Sequence, residues 1–210
     1  QVDRTLAYAR ESIAAYKVCL SVCLSLSRSH LSIAAYQASD DTSGLGSWTT
    51  VSGVTARVRR GPVGTILFLA PFNYPLNEMY AMLIPALLMG NTVTMKLPTI
   101  GGQCHVLTAA AFAAHMPPGV LNFVSGSGRK TCPPIMRSGV VDMLGFIGGS
   151  KACDALIGEH PAVHRLRVFS QLEGKNFGVV LADADLDVAA KQCALGATSY
   201  NGQRCTAIKL

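Results

Sequence analysis

The chain is predicted to be an α/β protein in which a parallel sheet is covered by helices on both faces, and three observations predict it. Short β-rich runs alternate with helix-like segments from residue 58 onward, the pattern that strand–helix–strand repetition leaves in a sequence. The best strand candidate, Thr65-Ile-Leu-Phe-Leu-Ala70, is apolar throughout, as a strand buried on both faces must be. Half of the 210 residues are hydrophobic and 14% are charged, enough apolar side chain for a sizeable core and too much for a disordered chain.

The elements follow in order. After the strand at 65–70 comes a turn holding Pro71, Asn73 and Pro75, then an apolar helix over 76–89 stopped by Gly90-Asn91. Residues 92–96 form a second strand, 105–115 a helix and 120–124 a third strand, which runs into Ser125-Gly126-Ser127-Gly128. A short helix at 134–138 precedes a fourth strand at 141–147, and Gly148-Gly149-Ser150 opens a helix over 151–160. Segments 166–172 and 179–181 read as extended and 186–195 as helical. In such folds ligands bind at the carboxyl ends of the strands, where the strand order reverses. The glycine-rich turns after the third and fourth strands fall at that edge and suit a phosphate-bearing ligand. Neither is a full phosphate motif: Thr131 stands where the dinucleotide fingerprint needs its third glycine, and Arg129 separates Gly128 from Lys130, which rules out a P-loop.

The N-terminal region reads differently. Ser12-Ile-Ala-Ala-Tyr16 recurs as Ser32-Ile-Ala-Ala-Tyr36 across a Leu/Ser/Cys-rich run, too few copies for a solenoid. A pair of amphipathic helices, an inserted segment and a duplicated or aberrantly spliced segment all fit. The resulting plan is a helical or irregular segment at 1–54, a dinucleotide-binding domain at 55–170 and the start of a catalytic domain at 171–210.

Charge and cysteine usage narrow the function. A formal net charge of +6 favours anionic ligands, but the basic residues are scattered, with Arg57, Arg59 and Arg60 the densest group. No basic helix, stacking module or zinc spacing accompanies them, so nucleic acid is not an expected partner. Seven cysteines at irregular spacing form neither a disulfide framework nor a Cys/His metal pattern, so no metal is expected and reduced thiols in a cytoplasmic protein are. No apolar run is long enough to span a bilayer, and no membrane partner is expected.

Five motifs carry a resemblance: Gly61-Pro-Val-Gly64, Ala70-Pro-Phe-Asn-Tyr-Pro-Leu76, Pro85-Ala-Leu-Leu-Met-Gly-Asn91, Thr94-Met-Lys96 and Gly202-Gln-Arg-Cys205. In order and spacing they resemble the aldehyde dehydrogenase superfamily. The run Tyr200 to Lys209 is most similar to its non-phosphorylating, NADP-dependent glyceraldehyde-3-phosphate dehydrogenases. The resemblance covers about residues 55 to 210 and implies a Rossmann-like cofactor-binding domain joined to the beginning of a catalytic domain.

It also implies a chemistry. Oxidising an aldehyde by hydride transfer needs a tetrahedral alkoxide, which a thiolate makes by adding to the carbonyl. Cys205 takes the nucleophile's place, in a polar, glycine-containing turn beside Arg204; a packed core cysteine is the alternative. Asn73 takes the place of the amide that holds the developing oxyanion, and also suits a turn before Pro75. Lys96 stands where the family's lysine binds the adenine ribose. Thr99 replaces the glutamate common in NAD-preferring relatives, so NADP is the expected cofactor. Phe72, Gly126, Gly148 and Ser150 complete the expected cofactor-binding set, Ser150 through the N-terminus of its helix.

Two departures matter. The family's general-base position holds Gln171, and the carboxylate appears instead at Glu173. In an extended strand, residues two apart share a face about 6.6 Å apart, so Glu173 is expected to serve as the base; structural pairing with Lys175 or Arg167 is the alternative. Relatives also continue about as far again past the cysteine, so the chain is expected to be either a fragment of a longer enzyme, itself a homo-oligomer, or a truncated product. The implied function is oxidation of an aldehyde, glyceraldehyde 3-phosphate first, to its carboxylate. A broader aldehyde dehydrogenase and a catalytically inactive nucleotide-binding fragment are the alternatives.

Overall fold

The computed structural model describes residues 48–57 and 61–209. The repeated Ser12–Tyr16 and Ser32–Tyr36 segments lie outside the described residues. Strands β1 (Trp48–Val51) and β2 (Val54–Arg57) form an antiparallel hairpin closed by Ser52 and Gly53, both at positive φ. That corrects the expected helical or irregular character of 1–54 for its described part. A two-residue Ser-Gly link supplies the left-handed turn that hairpin twist requires.

The main sheet has five parallel strands in the order β5-β4-β3-β6-β7: Leu121–Val124, Thr92–Lys96, Thr65–Leu69, Met143–Ile147 and Arg167–Gln171. Helices α1 (Asn77–Leu88), α2 (Gln103–His115), α3 (Gly128–Arg137), α4 (Ser150–Gly158) and α5 (Leu186–Thr198) complete the order. Strand period decides which layer each side chain joins. Ile66 and Phe68 of β3 pack with Met79, Leu83 and Leu87 of α1 and Phe112 of α2, whereas Leu67 and Leu69 pack with Cys132 and Met136 of α3 and Cys153 and Leu156 of α4. The sheet is therefore covered on both faces, as the apolar strand pattern required. Among the described residues no helix is long and apolar enough to cross a membrane.

Two boundaries differ from the sequence reading. Helix α3 starts at Gly128 rather than at the expected Pro134 and runs through Pro133 and Pro134. Residues 179–181 form no strand; an isolated bridge joins Asn176 to Ile208 instead.

Buried polar groups set the strand register. The Asn91 side chain, 4% exposed, accepts from the Val63 and Gly64 amides at 2.6 and 3.0 Å and donates to the Ala86 carbonyl at 2.8 Å. Thr92 N–H then reaches Gly64 O, and β3 and β4 pair from Thr65↔Thr92 to Leu69↔Lys96. Gly64, at φ +130°, lies where a Cβ would fall 2.1 Å from Asp142 Oδ2, the atom that accepts from Thr65 N–H at the foot of β3. The motifs Gly61–Gly64 and Pro85–Asn91 thus lock the bottom of the sheet and fix where its upper ends emerge.

Candidate active site

The chain passes outward from β3 to β4 and β5, then returns to place β6 on the other side of β3. The loops leaving β3 and β6 diverge there and open a crevice at the carboxyl ends of the strands. A cleft of about 530 Å³ occupies it. Its wall is built from Ala70 to Tyr74 after β3, Lys96 to Ile100 at β4, Ile147 to Gly149 after β6, Leu172 and Glu173 after β7, and Gly202 to Cys205.

The first question is whether Cys205 and Asn73 share this cleft. They do. Asn73 Nδ2 donates to Gln203 O at 2.7 Å, two residues before the cysteine, so the amide ties the β3 loop to the cysteine loop. The cysteine loop itself is held by several contacts. Asn176 Nδ2 donates to Cys205 O and Ala207 O, and Lys209 Nζ donates to Arg204 O at 2.9 Å. The Arg204 guanidinium lies 5.3 Å from the Tyr200 ring centre, and that ring meets Tyr74 edge to face. Tyr200, Asn201 and Gly202 all have positive φ, near +56°, +55° and +67°, which turns the chain sharply after α5 and aims Cys205 back into the cleft. Non-glycine residues in that region cost about 1 to 2 kcal/mol each, so the surrounding bonds must over-determine the loop.

Cys205 is half-buried, and Gln171 Nε2 donates to its Sγ at 2.9 Å. The group in the general-base position is thus a hydrogen-bond donor to sulfur. Sequence reading had noted Gln171 only as a missing carboxylate.

Glu173 does not share the strand face of Gln171. Strand β7 ends at Gln171, so the two-residue alternation that would set Glu173 beside Gln171 has already stopped. Glu173 lines the cleft, but its Oε1 accepts from Ser150 N–H at 2.8 Å and Ser150 O–H at 3.1 Å. It caps the first turn of α4, pairing with neither Lys175 nor Arg167. Its own backbone N–H and that of Ser150, in that order, hold the carboxyl below the usual carboxylate range. These Ser150 donors are the ones expected to bind cofactor phosphate.

The remaining cofactor candidates divide. Phe72, Lys96, Thr99 and Gly148 line the cleft. Lys96 is only 7% exposed, and its side chain makes no hydrogen bond or ion pair among the described residues. A side chain at Gly128 would come 3.9 Å from its Nζ, so the absence of one leaves the amine its space. Gly126, at φ +117°, shapes the turn after β5 without lining the cleft. Sequence reading missed Asn176 and Lys209, whose partners are backbone carbonyls and leave no pattern in the letters. Among the described residues no group of His, Cys, Asp and Glu is arranged to hold a metal ion.

A parallel α/β sheet thus brings a cysteine, an amide and a lysine together in one cleft at its switch point. The family model described as "Aldehyde dehydrogenase family" matches residues 23–210, and the chain belongs to that family. It is 42% identical over 157 residues to an NADP-dependent glyceraldehyde-3-phosphate dehydrogenase of Streptococcus equinus, covering 73% of this chain and 32% of that one. A protein of the same name from Scenedesmus vacuolatus is 37% identical over 145 residues, covering 69% of this chain and 60% of that one. Among solved structures, HpcC of Thermus thermophilus superposes with a TM-score of 0.69 at 30% identity, over 76% of this chain and 31% of that one. An aldehyde dehydrogenase C variant of Pseudomonas syringae, solved with NAD+ and octanal, gives 0.67 at 28% identity, over 77% and 33%. The chain therefore spans about a third of the length of the Streptococcus relative and of both structures.

Proposed function

We propose that the chain carries the cofactor cleft and nucleophile of an enzyme that oxidises an aldehyde, glyceraldehyde 3-phosphate first, to its carboxylate with NADP. The observation that carries this reading is the meeting of Asn73, Lys96 and Cys205, whose sulfur Gln171 holds, in one cleft. The residues fit the cofactor: a nearly buried lysine without a carboxylate partner suits the phosphorylated ribose of NADP, and Thr99 adds a hydroxyl where a carboxylate would repel it. When bound, NADP supplies the hydride acceptor.

Cys205 adds through sulfur to the aldehyde carbon, and the carbonyl electron pair moves onto oxygen. The Asn73 amide and the backbone N–H of Cys205 are the donors for that oxyanion, which requires Asn73 to exchange Gln203 O for the substrate. Loss of hydride leaves a thioester on Cys205, which water then cleaves. Gln171 holds the sulfur but accepts no proton at neutral pH. Glu173, a carboxylate on the same cleft, takes the proton from that water after leaving Ser150. The similarity to glyceraldehyde-3-phosphate dehydrogenases supports the substrate. A cytoplasmic location and a homo-oligomeric whole enzyme, with a small aldehyde as its partner, belong to the same proposal.

The test mixes the purified chain with NADP and glyceraldehyde 3-phosphate, without added phosphate, and follows NADPH absorbance. Turnover that disappears in Cys205→Ala is the expected result. The donor role of Gln171 favours a second reading, a nucleotide-binding unit without turnover. That reading is supported if NADP raises the melting temperature while no NADPH forms.

A further inference from the structure

We infer that Glu173 is a tethered anion that competes with the diphosphate of the cofactor for Ser150, so that cofactor binding and release of Glu173 are coupled. The inference rests on the cofactor reading of the cleft. Three features carry it. Both donors of Ser150 that face outward from the start of α4 are already taken by one oxygen of Glu173. The approach is close, since a Cβ at Gly149 would lie 3.4 Å from that oxygen. Independently, Lys96 is more than nine-tenths buried on the same cleft and has no anionic partner among the described residues. A cation without its anion and a helix N-terminus that already has one describe a site prepared for two negative groups, with one of them provided by the chain itself.

The consequence is an exchange. A diphosphate oxygen that takes the Ser150 N–H and O–H must displace the carboxylate, and two anions forced to share the donors repel each other. The displaced Glu173 remains on the cleft that holds Cys205, where a free carboxylate serves acyl release. Arrival of the cofactor thus frees the base, and the same glutamate weakens cofactor binding until it moves.

Titration calorimetry of the full chain and of Glu173→Gln and Glu173→Ala tests this. Glu173→Gln keeps an oxygen to cap α4 while removing the charge, which guards against a folding defect in the alanine variant. Displacing a charge-assisted pair of hydrogen bonds implies that NADP binds both variants about tenfold or more tightly than the parent. Adenosine 2′-phosphate, which lacks the diphosphate, binds all three proteins equally. Equal NADP affinity in parent and variants overturns the inference and leaves the cofactor reading standing. Equal tightening of NADP and adenosine 2′-phosphate also overturns it, because the effect is then general electrostatics. No binding of either nucleotide to any of the three overturns both readings.

Discussion

Replacing Asn91 by alanine removes three hydrogen bonds in one step, those to the Val63 amide, the Gly64 amide and the Ala86 carbonyl. The side chain is 4% exposed, so water does not replace them freely. Each bond is worth about 1 kcal/mol net, and a stranded buried donor adds about 1 to 3 kcal/mol. Asn91→Ala is therefore expected to lose about 4 to 6 kcal/mol, a large share of the 5 to 15 kcal/mol typical of a folded domain. Urea denaturation followed by far-UV circular dichroism measures it, with an unchanged m-value marking a true stability loss. The site should respond as well. The Thr65↔Thr92 pairing that Asn91 secures ends at Leu69↔Lys96, so loosening its foot displaces the buried amine of the cleft and weakens NADP binding. A loss below about 1 kcal/mol would refute the reasoning, because it would mean the two amides find other partners.

Three further outcomes follow from particular contacts. His105 is fully buried with neither ring nitrogen hydrogen-bonded, and burial pushes its imidazole down, the Pro75 carbonyl offsetting this in part. The unfolded imidazole titrates near 6.5, so its stabilising effect is complete above that pH. Below it, stability falls at up to about 1.4 kcal/mol per pH unit, a slope that His105→Phe should reduce in thermal melts. A Cβ at Gly145 would lie 2.1 Å from the buried Phe68 ring, so Gly145→Ala should cost about 1 to 3 kcal/mol in urea, with part recovered by Phe68→Leu. Asn73→Ala removes an oxyanion donor and the tie to Gln203, and should slow the first NADPH burst by about 10²- to 10³-fold; an unchanged burst removes Asn73 from the chemistry.

Much of the molecule was present in the letters. The apolar run at 65–70, the strand at 92–96 and the helix stopped at Gly90-Asn91 all appear within a residue or so of their expected places. Strand period and helix stops are local properties, so neighbouring residues suffice to read them. Cys205, Asn73 and Lys96 stood out because the motifs around them resemble a family. The hairpin at 48–57 was missed because its strands are short and exposed, with no buried face to impose alternation.

What the sequence determined by itself was the parallel sheet, its two covered faces and the identity of the groups at its upper edge. What only the tertiary structure decided was which of those groups touch. Asn73 meets Gln203 across 130 residues, Gln171 meets Cys205 across 34, and Glu173 meets Ser150 across 23. Such pairings depend on where β7 stops and how the loop after α5 turns, and those are fixed by packing between distant segments. A glutamate two places past a glutamine would share its face had the strand continued. It ended two residues too soon, and the carboxylate found the nearest pair of free donors.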